Sequence, residues 1–230
     1  LGDGALSQEL VAFNIILVDA CEVHRERLEH HREMFGKDLL ARLDIGLKRV
    51  FKRPERLEDE RLIDISNVDA QGNVAQRDSP KNLSNFANQL WHSDSSFMNP
   101  RAAYSMLHCV IKPSWGGNTE FADLRNAYDT LDERTKAEIQ DLSAEHFALH
   151  TRILLGDDAY TDDQKKEIPP AVWPLADTHP GSGRKVLFVG VHARQIPGWP
   201  RAESCMYLND LLEHTPQREN VYVHEWEPGD

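Results

Sequence analysis

The stretch that decides how this chain folds is Asn88-Gln-Leu-Trp-His-Ser-Asp-Ser-Ser-Phe97. Within it, one residue separates His92 from Asp94. In a strand, side chains two positions apart project from the same face, so this imidazole and carboxylate would converge. With a second histidine from elsewhere, such a pair forms the facial triad of non-haem iron oxygenases, which leaves coordination positions open. His-x-Asp pairs also arise by chance, so the tripeptide alone does not distinguish a metal site from an incidental pair.

Short strands with turn residues between them follow this stretch. A Pro-Ser-Trp-Gly-Gly-Asn turn precedes a strand that starts at Thr119, and further strands are predicted at 172–175, 185–190 and 220–226. A few helices interrupt them, and Asp123 and Asp132 are suitable N-caps for two of these. The pattern predicts a mainly β fold of the α+β kind, with a double-stranded β-helix (jelly-roll, cupin-like) core.

The first 60 residues have a different character. A short apolar strand at 14–18 precedes a run of charged helix formers at 22–35, which predicts a helical cap. After a predicted strand at 61–69, the polar run 71–84 predicts a loop. We therefore expect a single catalytic domain over residues 1–230, with a helical cap at 1–60 and a jelly-roll core with helical insertions at 61–230.

Composition restricts the possible partners. The 230 residues include 38 acidic and 26 basic side chains, and the resulting net charge of -12 repels phosphate backbones and anionic lipids. No apolar run approaches the roughly 20 residues that span a bilayer. Three scattered cysteines, Cys21, Cys109 and Cys205, suit a reducing compartment. We expect a cytoplasmic protein with no nucleic-acid partner and no membrane partner.

Beyond the tripeptide, the chain resembles a known family from about residue 63 to Asp230. The family is that of the 2-oxoglutarate-dependent dioxygenases that include taurine dioxygenase and the aryloxyalkanoate (2,4-dichlorophenoxyacetate) dioxygenases, and the likeness to the latter is closer. The stretches that carry it include Asn88 to Phe97, Pro113-Ser-Trp-Gly-Gly-Asn-Thr-Glu-Phe-Ala-Asp-Leu-Arg125, Trp173-Pro-Leu175 and Trp226-Glu-Pro-Gly-Asp230.

The resemblance implies roles for individual residues. His92 and Asp94 match the first two iron ligands. Thr119 matches the hydroxyl that binds the distal carboxylate of 2-oxoglutarate, and Asn88 matches a position that lines the cosubstrate or substrate pocket. The alternatives are ordinary ones, because threonine is common in strands and asparagine near a turn often satisfies the backbone.

The resemblance also implies a small anionic substrate. Ser95 matches a position that faces it, and His192 matches a region near its pocket, although a core or surface histidine is the more ordinary explanation of His192. Arg77 and Lys81 are candidate cations for the substrate's charge, but charged loop residues are usually solvated.

The activity implied is that of an Fe(II)- and 2-oxoglutarate-dependent dioxygenase. It would use O2 to hydroxylate a small organic acid and release succinate and CO2, with ether cleavage if the substrate is an aryloxyalkanoate. Relatives generally associate, so a homo-oligomer is expected. Three alternatives stay open: the same chemistry on a sulfonate or another small acid, a catalytically inactive β-roll binding protein, and a zinc hydrolase of similar shape.

One part of the family pattern is missing. The resemblance places the third metal ligand, a histidine, and the arginine that pairs with 2-oxoglutarate beyond Asp230, so we expect the C-terminal part of the domain to be absent from this sequence. His214 and His224 are not expected to substitute, because His224 alternates with Tyr222 in a strand-like run typical of an ordinary sheet residue.

Overall fold

The structure, a computed structural model, describes residues 15–18, 65–66, 73–76, 79–101, 105, 107–109, 111–156 and 160–230. Apart from one strand, the predicted cap at 1–60 lies outside the described residues, as does most of the predicted strand at 61–69. Nothing described tests those two predictions.

The described strands lie in two small sheets and one hairpin. In chain order they are β1 (Ile15–Val18), β2 (Thr119–Asp123), β3 (Ser143–His146), β4 (Ala171–Pro174), β5 (Ala176–Thr178), β6 (Lys185–Leu187), β7 (Ala193–Gln195) and β8 (Val221–His224). In the first sheet, β2 is central, parallel to β1 and antiparallel to β8. In the second, β3 lies between β4 and β7, antiparallel to both. The strands β5 and β6 form an antiparallel pair.

Helices connect these strands. They are α1 (Pro80–Ala87), α2 (Leu124–Asp129), α3 (Glu133–Ile139), α4 (His150–Leu154), α5 (Asp162–Glu167) and α6 (Arg201–His214), with a 3-10 turn at Arg218–Asn220. Both predicted caps are confirmed. The Asp123 carboxylate accepts the Arg125 amide hydrogen at 2.9 Å, and that of Asp132 accepts the Thr135 amide hydrogen at 3.0 Å. These bonds satisfy amides that a helix start leaves unpaired.

The predicted loop at 71–84 is wrong in its second half, because α1 begins at Pro80. The Ser79 hydroxyl accepts the Asn82 amide hydrogen at 3.3 Å, and the proline occupies the first helical position, where its missing N–H is not needed. The Ser79-Pro80 pair is a typical helix start, but the polar composition of residues 71–84 favoured a loop. The turn after α1 leads directly into the His92 segment.

Three apolar clusters hold these elements together. The largest packs the buried leucines of α6 against Leu175, Leu187 and neighbouring residues. A second joins Ala122, Leu124, Val186 and Phe188, and Trp91 and Trp173 pack against it. The third places Phe97 against Phe147, Leu149 and Ile168. Because two of these clusters contact the stretch 88–97, that stretch is fixed on the β core.

The expected mixture of strands and inserted helices is confirmed, although the described part is more helical than a mainly β fold. Its strands lie in open sheets, so closure into a jelly-roll stays a prediction. Among the described helices, none combines the length and the apolar character needed to cross a membrane.

Candidate metal centre

His92 is buried and held from one side. Its Nδ1 lies 2.6 Å from the Leu90 carbonyl oxygen, and its Nε2 lies 3.2 Å from Asp94 Oδ1. A carbonyl can only accept, so the hydrogen of this contact belongs to Nδ1. In the neutral ring, Nε2 then presents a lone pair toward a carboxylate oxygen that also carries lone pairs. Two such atoms need a cation, either a proton on the imidazole or a metal ion.

The geometry of this pair fits a metal ion. Two ligand atoms bound at right angles, each about 2.1 Å from a metal, lie about 3 Å apart, and the observed separation is 3.2 Å. The contact from Nδ1 to a backbone carbonyl is the usual outer hydrogen bond of a metal-binding histidine, since it fixes the tautomer and ring orientation. His92 and Asp94 therefore fit as two ligands of a transition metal with imidazole and carboxylate ligation.

Convergence of the two side chains is confirmed, but the predicted strand geometry is not its cause. His92 is an isolated bridge residue, and the turn formed by residues 94–97 starts at Asp94. Ser95 in this turn has φ 59, in the left-handed region that non-glycine residues seldom adopt. The carboxylate therefore reaches the imidazole because the chain turns.

Each partner shifts the pKa of the other. Burial favours neutral groups, but the hydrogen bond and charge of Asp94, with the Leu90 carbonyl, outweigh it and raise the pKa of His92. For Asp94 burial likewise opposes ionisation, yet hydrogen bonds from His92 and Ser105 outweigh it and lower the pKa of the carboxyl. The lowered pKa keeps Asp94 ionised at neutral pH, and 38% of its side-chain surface is exposed, so the carboxylate is accessible.

His192 lies beside this pair. The Val191 amide donates to the Trp91 carbonyl at 2.8 Å, which ties its segment to that of His92. The ring centroids of His192 and His92 are 6.0 Å apart, and the Phe97 ring lies 5.0 Å from that of His192. Burial, followed by the charge of His92, lowers the pKa of His192 well below its usual range. Its Nδ1 is buried without a hydrogen-bond partner among the described residues. A neutral imidazole with an unused nitrogen therefore lies beside the His92 ring.

Thr119 lies on β2, in the sheet that β2 forms with β8, and contacts Trp226 there. Its side chain is 1% exposed, and its hydroxyl oxygen lies 2.8 Å from Trp226 Nε1. An indole only donates, so Thr119 accepts here and its own hydrogen remains available for another acceptor. The sequence prediction missed Trp226, although the motif Trp226-Glu-Pro-Gly-Asp230 was a signal for it. His224 pairs with Thr119 across the sheet.

The remaining residues predicted from the sequence are Asn88, Ser95, Arg77 and Lys81. Asn88 is half-buried in the turn that follows α1, and Ser95 is half-buried next to Asp94. Arg77 and the side chain of Lys81 lie outside the described residues.

The other histidines considered as third ligands have other partners. His214 Nε2 contacts the Ala127 carbonyl oxygen at 2.9 Å and the Thr130 hydroxyl at 3.1 Å. His224 packs edge-on against the Trp226 ring at 4.3 Å, in a strand as predicted. Within the described part of the chain, no three His, Cys, Asp or Glu side chains come together as a metal site. The described centre therefore consists of two ligands.

Comparison with known proteins identifies the family. A family model described as "Taurine catabolism dioxygenase TauD, TfdA family" matches residues 3–230. The chain belongs to this family. Among TauD/TfdA relatives, it is 53% identical over 188 residues to the alpha-ketoglutarate-dependent 2,4-dichlorophenoxyacetate dioxygenase of Cupriavidus pinatubonensis, covering 82% of this chain and 66% of the relative. It is 34% identical over 219 residues to the (S)-phenoxypropionate/alpha-ketoglutarate-dioxygenase of Delftia acidovorans, covering 90% and 75%.

A solved structure agrees with this assignment. The crystal structure of AAD-2 in complex with Mn(II) and N-oxalylglycine superimposes with a TM-score of 0.75 at 42% identity, covering 81% of this chain and 64% of that one. The chain thus spans somewhat under two thirds of the length of that protein and of the Cupriavidus relative.

Proposed function

We propose that this chain supplies the metal-binding segment of an Fe(II)- and 2-oxoglutarate-dependent dioxygenase. The observation that carries the proposal is the pair His92 and Asp94, with Nε2 and Oδ1 3.2 Å apart and Nδ1 held by a carbonyl. Iron and 2-oxoglutarate, when bound, supply oxidising power from O2 to hydroxylate a substrate C–H bond, with release of succinate and CO2. The family membership and the Mn(II) complex of AAD-2 support this assignment.

The residues of this chain have distinct tasks in that reaction. His92 offers a neutral Nε2, Asp94 offers a carboxylate, and the Leu90 carbonyl keeps the imidazole in the required tautomer. Because one short segment supplies both ligands, a metal held by His92 and Asp94 would keep coordination positions free for cosubstrate and O2. We propose a histidine beyond Asp230 as third ligand, the position that the family resemblance implies.

Thr119 is proposed to bind the distal carboxylate of 2-oxoglutarate. Its hydroxyl hydrogen is available because Trp226 occupies the oxygen as a donor. A neutral donor that is already oriented binds a carboxylate without losing rotational freedom on binding. Asn88, in the turn between α1 and His92, is proposed to line the same pocket.

The proposed substrate is a small organic acid, with aryloxyalkanoates first among the candidates. Several relatives are named for such acids. The His192 imidazole is neutral and half-buried, and its buried Nδ1 has no partner among the described residues, so it can donate one hydrogen bond to a substrate oxygen. Ser95, adjacent to Asp94, is proposed to face the substrate. An ether carbon hydroxylated in this pocket would give a hemiacetal, which collapses to a phenol and a carbonyl acid.

One alternative substrate class rests on a specific observation. A more distant relative, 29% identical over 147 residues, is named an alpha-ketoglutarate-dependent sulfate ester dioxygenase and comes from Pseudomonas putida. The same residues could therefore serve an acid with a sulfur-based anion. The two remaining alternatives, an inactive binding protein and a zinc hydrolase, differ from the proposal in needing neither O2 nor 2-oxoglutarate.

Oxygen-dependent succinate formation tests the proposal. The full-length protein that carries this sequence should release succinate from 2-oxoglutarate only with iron(II), O2 and an accepted acid. Parallel assays with 2,4-dichlorophenoxyacetate, a phenoxypropionate and an alkyl sulfate would identify the acid class, and Asp94→Asn should reduce the rate to background. Turnover without O2 would support the hydrolase instead, and no succinate with any of the acids would support the binding protein.

Further aspects of the family resemblance are proposed here as well. We propose a jelly-roll core for the complete domain, a homo-oligomeric state and a cytoplasmic location without nucleic-acid or membrane partners. The described cysteines, Cys109 and Cys205, are free thiols, which is consistent with a reducing compartment.

A further inference from the structure

The turn that carries Asp94 is held from outside by Trp173. This tryptophan lies on β4, where it pairs with Ala144 of β3, and its ring packs against a core cluster. Its indole Nε1 donates a hydrogen bond of 2.6 Å to the carbonyl oxygen of Ser96, two residues after Asp94. Ser96 is itself 2% exposed, so water is not available to replace this donor.

The turn combines an unfavourable backbone conformation with one long internal hydrogen bond. Ser95 has φ 59, a conformation that a side chain with a Cβ disfavours. The Ser96 amide lies 3.4 Å from the Ser93 carbonyl oxygen, a long hydrogen bond, and the Met98 amide donates to the Ser95 carbonyl at 2.9 Å. Unfavourable backbone conformations persist when the surrounding structure fixes them. The bond from Trp173 is such a constraint, and it comes from a different part of the chain.

Trp173 is itself fixed by neighbours. The guanidinium carbon of Arg101 lies 5.0 Å from the Trp173 ring centroid and 4.3 Å from that of Phe188. Arg101 also forms an ion pair with Asp177 of β5 at 2.7 Å. Cation–π contact and strand pairing together restrict the indole, so its N–H points to Ser96 with little freedom.

We propose that Trp173 is a positioning residue for the metal: by holding the Ser96 carbonyl it fixes the turn that aims the Asp94 carboxylate at His92 Nε2. The inference rests on the proposed function, because it concerns the metal ligand Asp94. It adds a residue that touches neither metal nor substrate. Loss of one hydrogen bond of this kind should weaken metal binding roughly fivefold to tenfold.

Trp173→Phe in the full-length protein tests this, because it removes the indole N–H and keeps an aromatic ring beside Arg101. Trp199→Phe is the matched control. Trp199 packs on Tyr207, with ring centroids 5.3 Å apart, against the apolar cluster that contains the buried leucines of α6. Two measurements are made on each protein: Mn(II) affinity, from the free-ion signal in electron paramagnetic resonance, and hydrogen–deuterium exchange of peptides covering residues 93–98 without metal.

We expect Trp173→Phe to raise the Kd for Mn(II) by about fivefold to tenfold and to speed exchange at residues 93–98. Trp199→Phe should leave both unchanged. Parent-like affinity and exchange in Trp173→Phe would overturn the inference alone, whereas a parent protein that binds no Mn(II) would overturn the proposed function with it. If Trp173→Phe does not fold, Arg101→Lys replaces it. This milder variant should show the same two changes at smaller size, and parent-like results with it would overturn the inference equally.

Discussion

The part-buried hydrogen bond between Trp226 and Thr119 should be measurable as a coupling energy. Trp226 Nε1 donates to the Thr119 hydroxyl at 2.8 Å, and the threonine is 1% exposed. Trp226→Phe removes the donor, whereas Thr119→Val removes the acceptor and keeps the shape of the side chain. Each single change leaves the other group without its partner.

The expected magnitudes follow from the burial of Thr119 and the partial burial of Trp226. Trp226→Phe should lower the free energy of unfolding by about 1–3 kcal/mol, the penalty of an unsatisfied buried group, and Thr119→Val by about 1 kcal/mol, because Trp226 is half-buried. Because the double variant removes both partners, its loss should be smaller than the sum of the two by about 1 kcal/mol. If the proposed role of Thr119 holds, Trp226→Phe should also weaken 2-oxoglutarate binding roughly fivefold, since the hydroxyl is no longer oriented as a donor.

Urea denaturation of the four proteins of this cycle, without metal, gives the coupling directly. Thr178→Val is the matched control, because Thr178 is an exposed strand residue and its change should stay within about 0.5 kcal/mol. Additive losses, with a coupling indistinguishable from zero, would refute the reasoning about this hydrogen bond. Unchanged 2-oxoglutarate affinity alongside a clear coupling would refute only the role of Thr119 in binding.

Two further predictions concern pH. Burial, with a smaller contribution from Arg101, lowers the pKa of His146 from 6.5 to about 3, so the unfolded chain binds a proton that the native protein excludes. The free energy of unfolding should therefore fall by about 1.4 kcal/mol for each unit by which the pH is lowered between those two values. His146→Leu should flatten this pH dependence in urea titrations at several pH values, and an unchanged slope would contradict the prediction. For Asp123, burial opposes ionisation but its bonds with Arg125 outweigh it and lower the pKa, so its stabilisation is present at neutral pH and is lost as the pH falls through the native pKa. Asp123→Ala should be less stable by about 1 kcal/mol at neutral pH, and the difference should shrink below about pH 4; a difference independent of pH would count against it.

Local signals in the sequence predicted much of the core correctly. Asp123 and Asp132 cap helices as expected, because a short acceptor before a helix start is decided by its nearest neighbours. The strand that starts at Thr119 and the strand that carries His224 also follow from local pattern. The one-residue spacing of His92 and Asp94 predicted that the side chains converge, although a turn and not strand alternation brings them together.

Long-range contacts were not predictable in this way. Nothing in the local sequence shows that Trp226 reaches Thr119, 107 positions away, or that Trp173 reaches the carbonyl of Ser96. The turn at Asp94 was also missed, since a left-handed serine depends on constraints from other strands. The packing partners of β4 and β8 therefore had to come from the structure.

An anaerobic titration tests the central claim most directly. Iron(II) added to the full-length protein with 2-oxoglutarate should produce a visible charge-transfer band that saturates at one iron per chain, and His92→Gln and Asp94→Asn should each abolish it while remaining folded. A parent protein that shows no band, or a band that survives both substitutions, would contradict the assignment of these two residues as iron ligands.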